Sequence, residues 1–538
     1  MTSRKRFLTQ AFAACGLLLS AAFGVAQAQT APYALAVSYT PSQNSATLTW
    51  QSAAPAAFGF DIERRPSGGN TWTKVAYVRE PGRSHTDTNL QPLTRYVYRV
   101  VSFRAGGPAA GYTSAAMVVT PLNFPYGVNY PNGIRPSNFT QAQQNTDVQS
   151  MWQAWRNVYL TANGAGPNGM RVYKPTENGE SVSEGIGYGM LISAYMATTS
   201  NSGKSDFDGL FRYYRSKPQL LNGSGIGLMA WRIAASGSVI DNYVAPDGDI
   251  DAAYALLVAD KKWGSFGEIN YKVEAVAIIN NLMKWAVLNR GANDSNLMYR
   301  AAMTVLNRVE QGADYTMSSY QIVSYFKQFK EAAGDARWDK VLRAGYKFHD
   351  YFHKANPTNG SLTPFTFLTQ PGSNQYLKGV RGYSYGYDAS RLPWRLGMDY
   401  LWNGYTNSNF AKLTHTGING NLPKDMPTRN AKWFETITGG NPQTAMVSYE
   451  LGGGTSPGAY RAGQRNLGSA MAVGAMTDGS NQAWLNTLYA WIRQQVPGQT
   501  FSSGGITVQP EYYADTVLMV CMIAVTSNMP DLPAVPTP

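Results

Sequence analysis

The sequence predicts a two-part fold: a small all-β sandwich at the N-terminus, then a large all-α toroid with a cleft. Three observations carry this. Residues 31–121 alternate apolar and polar side chains between turn clusters, the period of half-buried strands. From about residue 126 to residue 526 the apolar spacing becomes helical. Long stretches rich in Gly, Asn and Pro, as in 353–386 and 417–465, separate those helices and read as large loops.

In chain order, Arg4, Lys5 and Arg6 precede an apolar run that ends in Ala26-Gln27-Ala28. Residues 1–28 therefore read as a secretory signal, and secretion to the medium or periplasm is expected. No other apolar run is long enough to span a bilayer. Strands follow at Ala46–Trp50, Phe60–Arg64 and Trp72–Val78, with a turn cluster at Pro66-Ser67-Gly68-Gly69-Asn70. Trp50, Asp87, Leu90, Tyr96 and Tyr98 fall in a spacing that resembles a fibronectin type III domain, with Tyr96 as its corner tyrosine. That resemblance covers 31–121 and implies a small β-sandwich; a spacer is the preferred role, with weak carbohydrate or surface binding as the alternative.

Pro121–Tyr126 reads as the boundary, and 122–527 as one helical domain. On one helix Tyr271, Ala275, Ile278, Ile279, Leu282 and Ala286 share a face. Similar patterns occur near 147–160, 184–198, 249–260, 297–310, 319–333, 336–352, 391–404, 481–494 and 512–526. The proline-rich tail 528–538 reads as disordered.

Composition narrows the function. Hydrophobic residues are 44% and aromatics 12% of 538 residues, enough for a large core, while charged residues are only 14%. Loss of residues 1–28 lowers the formal net charge from +12 to +9. No basic run is interleaved with aromatics, which argues against nucleic acid as a partner. The positive excess argues against a polycationic substrate such as chitosan. Beyond the signal only Cys521 remains, in an apolar run, so an internal disulfide is excluded. His349 and His353 stand one helical turn apart without a clear third ligand, so no metal is expected. A monomer without cofactor is expected.

Three stretches share one design. Ser183-Glu184-Gly185-Ile186-Gly187-Tyr188-Gly189 places one acid and three glycines before an apolar helix. The glycines let a ligand or another backbone come close. Asp247-Gly248-Asp249-Ile250-Asp251 precedes a second such helix, with Asp247 fitting an N-cap. Tyr387-Asp388 precedes a third, with Pro393 in its first turn. Capping explains one such acid. Three imply helix N-termini facing one cleft.

These three stretches, with Arg391-x-Pro393-Trp394-Arg395, Trp231-Arg232 and Tyr512-Tyr513-Ala514-Asp515, resemble glycoside hydrolase family 8 over nearly all of 124–530. The resemblance implies an (α/α)6 barrel and hydrolysis with inversion. It implies Glu184 as general acid and Asp388 as general base, at the position used by the family's cellulase-type branch. Asp247 would hold the sugar at the cleavage point, and Arg391 would orient the base and that sugar. Trp231 and Tyr387 would stack on sugar rings; Tyr320 reads equally as site or core. The chemistry needs one protonated carboxyl and one ionised carboxylate about 6.5–9.5 Å apart, on different elements. A helix N-terminus lowers a carboxyl pKa, so burial behind Tyr188 and the charge of Asp247 must outweigh it at Glu184.

The Asp247–Asp251 pattern is similar to the family's glucanases and chitosanases rather than its xylanases. The expected substrate is cellulose or mixed-linkage β-glucan, a β-glucan polysaccharide cleaved internally. Chitosan and xylan are the alternatives within the family, and a non-catalytic glycan-binding protein is the alternative outside it.

Overall fold

In this computed structural model the structure describes residues 31–534, apart from 41–44, 53–58, 67–68, 89, 91–94, 104–110, 114–115, 120–121, 288–308, 311–312, 356–361, 364–366, 370–375, 379–383, 415–417, 419, 458–464 and 504. The signal read in 1–28 lies outside them. The chain divides into two compact units at Val119–Thr120.

The first unit is all-β. Strands β1 (Tyr33–Thr40), β2 (Ser45–Gln51) and β5 (Ser84–Asp87) form one antiparallel sheet. Strands β3 (Gly59–Pro66), β4 (Thr73–Arg79), β6 (Arg95–Phe103), β7 (Gly111–Tyr112) and β8 (Ala116–Val119) form the other, in the order β4-β3-β6-β7 with β8 also on β6. Alternate residues of both sheets, Leu48 and Trp50 from one and Phe60, Ile62, Tyr98 and Val100 from the other, share one core. Trp50 meets Phe60 edge-on at 5.4 Å. Tyr96 is buried under Arg64, while Tyr98 donates its hydroxyl to Asp87 at 2.7 Å.

The second unit is built from helices in two rings. The inner helices are α2 (Ser183–Met196), α4 (Pro246–Trp263), α6 (Val323–Ala333), α8 (Leu392–Asn403), α10 (Arg465–Ala475) and α12 (Tyr512–Val525). Each packs on the next, and α12 returns to α2, closing the ring. The outer helices are α1 (Gln141–Tyr159), α3 (Gly203–Ser216), α5 (Tyr271–Asn281), α7 (Arg337–Ala355), α9 (Leu422–Ile437) and α11 (Gln482–Ile492). They lie against the inner ones: α3 on α2, α5 on α4 and α6, α7 on α6, α9 on α8 and α10, α11 on α10, and α1 on α12. A short helix, Asn407–Thr414, stands outside this set.

Sequence explains the layering. Apart from Glu184, every residue of α2 is buried, and α10 is buried throughout. Helices apolar on all faces belong inside. Outer helices show one apolar face, as in α7, where Trp338, Val341, Leu342, Gly345, Phe348, His349 and Phe352 are buried. Inner helices approach closely where glycines permit. A β-carbon on Gly187 would lie 2.6 Å from the carbonyl oxygen of Gly248, and one on Gly248 would lie 2.4 Å from Ser183. The expected close approach is therefore to a backbone, that of α4.

Several expectations need correction. The stretch 417–465, read as irregular, contains α9 and the strand Ser448–Glu450. Its prolines disguise the helix: Pro423 occupies the first turn, where a missing N–H costs nothing, and Pro427 follows one turn later. Helices α3 and α10 were not among the expected elements, although Phe207, Leu210, Phe211 and Tyr214 of α3 have helical spacing and are buried. Residues 297–308 lie outside the described residues, and Val309–Glu310 pair with Ala313–Thr316 as a hairpin rather than ending a helix. The tail is packed from 528 to 533. Met529 and Leu532 are buried, and Asp531 accepts hydrogen bonds from Tyr254 at 2.9 Å and Gln328 at 2.8 Å. Helix α12 ends at Val525, and Ser527 at φ 61° turns the chain before the first proline is reached; 535–538 lie outside the described residues.

Candidate active site

Glu184 and Asp247 each stand second in their helix, α2 and α4. Asp247 is thus inside the first turn rather than at the N-cap, which is Ala245, because Pro246 already takes the first helical position. Asp388 sits in a 3-10 turn, Tyr387–Arg391, that leads directly into α8. None of the three N-cap residues, Val182, Ala245 and Arg391, supplies a side-chain cap, and Asp247 Oδ1 accepts the Gly248 N–H of its own first turn at 3.0 Å.

The three acids converge on one cation. Arg391 is fully buried. Its Nη1 donates to Glu184 Oε2 at 3.0 Å, to Asp247 Oδ2 at 2.8 Å and to the Tyr188 hydroxyl at 2.6 Å. Its Nη2 donates to Ser319 Oγ at 2.8 Å and lies 3.2 Å from Asp388 Oδ1. The planar guanidinium suits such sharing, since its donors radiate in a fixed fork. Two carboxyls held by the two ends of one guanidinium face each other at a distance limited by its width and two hydrogen bonds. Glu184 also accepts from the Tyr512 hydroxyl at 3.3 Å, and Gly185 permits this, since a β-carbon there would lie 2.3 Å from that oxygen.

Three carboxyls around one guanidinium leave a surplus of negative charge, and the chemistry follows. Burial pushes the Glu184 carboxyl up to about 8. Arg391 opposes this, while Asp247 and then Asp388 add to it. The pull of the helix N-terminus is outweighed. Glu184 therefore holds a proton at neutral pH, as a general acid must.

The other residues singled out in the sequence lie close by or bear on this cluster. Trp231 is partly buried, and its carbonyl accepts the Ser183 N–H at 2.8 Å, beside the start of α2. Tyr387 is 47% exposed and adopts φ 44°, a left-handed conformation unusual for a bulky residue. Its carbonyl is held by the hydroxyls of Ser390 at 2.5 Å and Tyr513 at 2.9 Å. Tyr320 is buried, and its hydroxyl is raised well above the usual range, first by burial and then by Asp247 and Asp388. Away from this cluster, His349 is a core residue: its Nε2 lies 3.0 Å from the Gln321 carbonyl oxygen, and burial pushes it down to about 4. Among the described residues no group of three or more His, Cys, Asp or Glu is placed to hold a metal ion.

Sequence reasoning missed Ser319, which anchors Arg391 from a 3-10 turn with no motif of its own. It quoted Arg395 without a role; Arg395 forms a buried bidentate pair with Asp251, 2.7 and 2.5 Å, against the Trp394 ring. It also left Tyr512 without a role, though the pair Tyr512-Tyr513 before an apolar helix carries the signal.

A closed ring of inner helices that presents buried acids around one arginine defines an acid–base site suited to hydrolysis. The chain belongs to glycosyl hydrolases family 8, whose family profile matches residues 122–489, and it is a glycoside hydrolase. It is 31% identical over 413 residues to a beta-glucanase of Niallia circulans, covering 75% of this chain and 90% of that one. It is 29% identical over 429 residues to endoglucanase C of Ruminiclostridium cellulolyticum, covering 78% and 79%. Among solved structures it is similar to the apo beta-1,3-1,4-glucanase from Paenibacillus sp. X4. The TM-score is 0.62 at 29% identity, over 76% of this chain and 98% of that one. The barrel-type helical fold agrees with this neighbour.

Proposed function

We propose that the chain is a secreted, inverting endo-β-1,4-glucanase acting on cellulose or mixed-linkage β-glucan. The relatives named beta-glucanase, endoglucanase and beta-1,3-1,4-glucanase support the substrate class. The observation that carries the mechanism is the shared arginine: a carboxyl only 12% exposed and pushed up to about 8, facing a second carboxylate across Arg391.

In this reading Glu184 gives its proton to the glycosidic oxygen as the bond breaks. Asp388, 19% exposed at its side chain, takes a proton from the water that attacks the opposite face of the sugar. Each turnover inverts the anomeric centre. Asp247, nearly sealed, holds the sugar at the cleavage point, and Arg391 keeps the three acids in register. Trp231 and Tyr387 stack on pyranose faces, and Tyr320 lines the same cleft. The reaction needs no cofactor, and a monomer suffices for it.

We read the N-terminal unit as a fibronectin type III-like spacer; the two sheets closing on Trp50 and Phe60 support that. Export by the 1–28 signal follows from its charge and apolar pattern.

The test is reducing-end release from carboxymethyl cellulose, with products read by NMR. Glu184→Gln should lower kcat by about 10²–10⁴-fold, and wild-type product should appear first as the α anomer. A wild type that binds β-glucan yet releases no ends would instead favour a glycan-binding protein.

A further inference from the structure

Of the acids at 247, 249 and 251, the proposed reaction uses the first, and Arg395 neutralises the third. Asp249 is left. It is fully buried, and no cation pairs with it among the described residues. Its Oδ1 accepts the Tyr214 hydroxyl and, at 2.9 Å, the backbone N–H of Met229. Its Oδ2 has no hydrogen-bond partner among the described residues. Burial raises this carboxyl to about 7. An apolar side chain here would avoid that cost, so the acid needs a reason.

The reason lies in what Met229 carries. It ends the strand Ser224–Met229, two residues before Trp231. The Trp231 N–H donates to the Tyr243 carbonyl at 2.8 Å, and its indole stacks on Tyr243 at 5.0 Å and 25°. The Trp231 carbonyl accepts the N–H of Ser183, the first residue of α2, and Arg232–Ile233 pair with Ser181–Val182. Segment 229–233 is thus tied at its far end to α2, which bears Glu184. At its near end the Met229 N–H ties it through Asp249 to α4, which bears Asp247, while Met229 pairs with Pro218 and the Ala230 N–H donates to the Lys217 carbonyl at 2.9 Å. Residues two apart on a helix point to nearly opposite sides, so α4 presents Asp247 to the cluster and Asp249 to the strand behind it.

We infer that Asp249, oriented by Tyr214, is a positioning residue that sets the Trp231 indole at a fixed distance from Asp247. A sugar held at the cleavage point and its neighbour on Trp231 would then be in register. This rests on the reading of Trp231 as a stacking platform, and the experiment separates the two.

Steady-state kinetics on soluble mixed-linkage glucan and on short and long β-1,4-gluco-oligosaccharides would compare wild type, Trp231→Ala, Asp249→Asn, Tyr214→Phe and the doubles with Trp231→Ala. Thermal unfolding would be followed in parallel. Asp249→Asn should raise KM roughly three- to tenfold on long substrates, the scale of one aromatic contact, with a smaller change in kcat. Tyr214→Phe, which removes one hydroxyl, should do the same more weakly and serves if Asp249→Asn fails to fold. Each double should show the KM of Trp231→Ala alone. Losses that multiply in the double variants, or an unchanged KM in both folded single variants, would overturn the inference. An unchanged KM in Trp231→Ala alone would instead show that the stacking reading is wrong.

Discussion

Arg391 and Arg395 stand four residues apart, both buried, and both bind acids, yet they do opposite things. Arg395 is matched one to one with Asp251 in a bidentate pair, closed over by the Trp394 ring 3.9 Å away. Charge balances there, and nothing remains to react. Arg391 is shared by Glu184, Asp247 and Asp388. Negative charge is in excess, burial makes the excess costly, and a proton on Glu184 relieves it. Stoichiometry of charge, rather than the presence of a buried ion pair, separates the Arg391 cluster from the Arg395 pair.

The largest expected effect comes from removing either of the acids proposed to react, Glu184 or Asp388. Asp388→Asn, like Glu184→Gln, should cost about 10²–10⁴-fold in kcat with thermal stability little reduced, checked by reducing-end assay beside calorimetry. Breaking the balanced pair should do the reverse. Asp251→Asn strands a buried guanidinium and should destabilise the fold by about 3–5 kcal/mol in denaturant titration. The folded fraction should keep the wild-type pH limb. A smaller effect concerns pH. With Glu184 as the proposed proton donor and its carboxyl raised to about 8, kcat/KM should fall as pH rises through about 8. In Asp247→Asn that limb, read on residual activity, should move toward acid, since Asp247 raises the Glu184 carboxyl. The smallest effect is on stability. A carboxyl raised above its ordinary 4.5 stabilises the fold below that value and loses the contribution as pH rises through about 8. Glu184→Gln, which cannot ionise, should therefore melt higher than wild type at alkaline pH and show no such advantage in acid.

Much of this was legible in the sequence, for identifiable reasons. Glu184, Asp247 and Asp388 stood out because each interrupts an apolar stretch at a helix start, where a charge needs a purpose. The glycines at 185 and 187 signalled close approach, although to Tyr512 and α4. What escaped depended on distant contacts. Ser319 meets Arg391 across 72 positions, and Asp251 meets Arg395 across 144, with no local pattern to announce either. Helix α9 escaped because its two prolines look like breaks, and the tail 528–533 because its proline content hides Met529 and Leu532, which pack into the core.

Three acids sharing one arginine favour a protonated Glu184 at neutral pH. Carbon-13 NMR of glutamate side-chain carboxyls, titrated in wild type and assigned by the signal lost in Glu184→Gln, tests it most directly. The Glu184 signal should titrate near 8 and move lower in Asp247→Asn. A Glu184 carboxyl titrating near its ordinary 4.5, unmoved by that substitution, would contradict it.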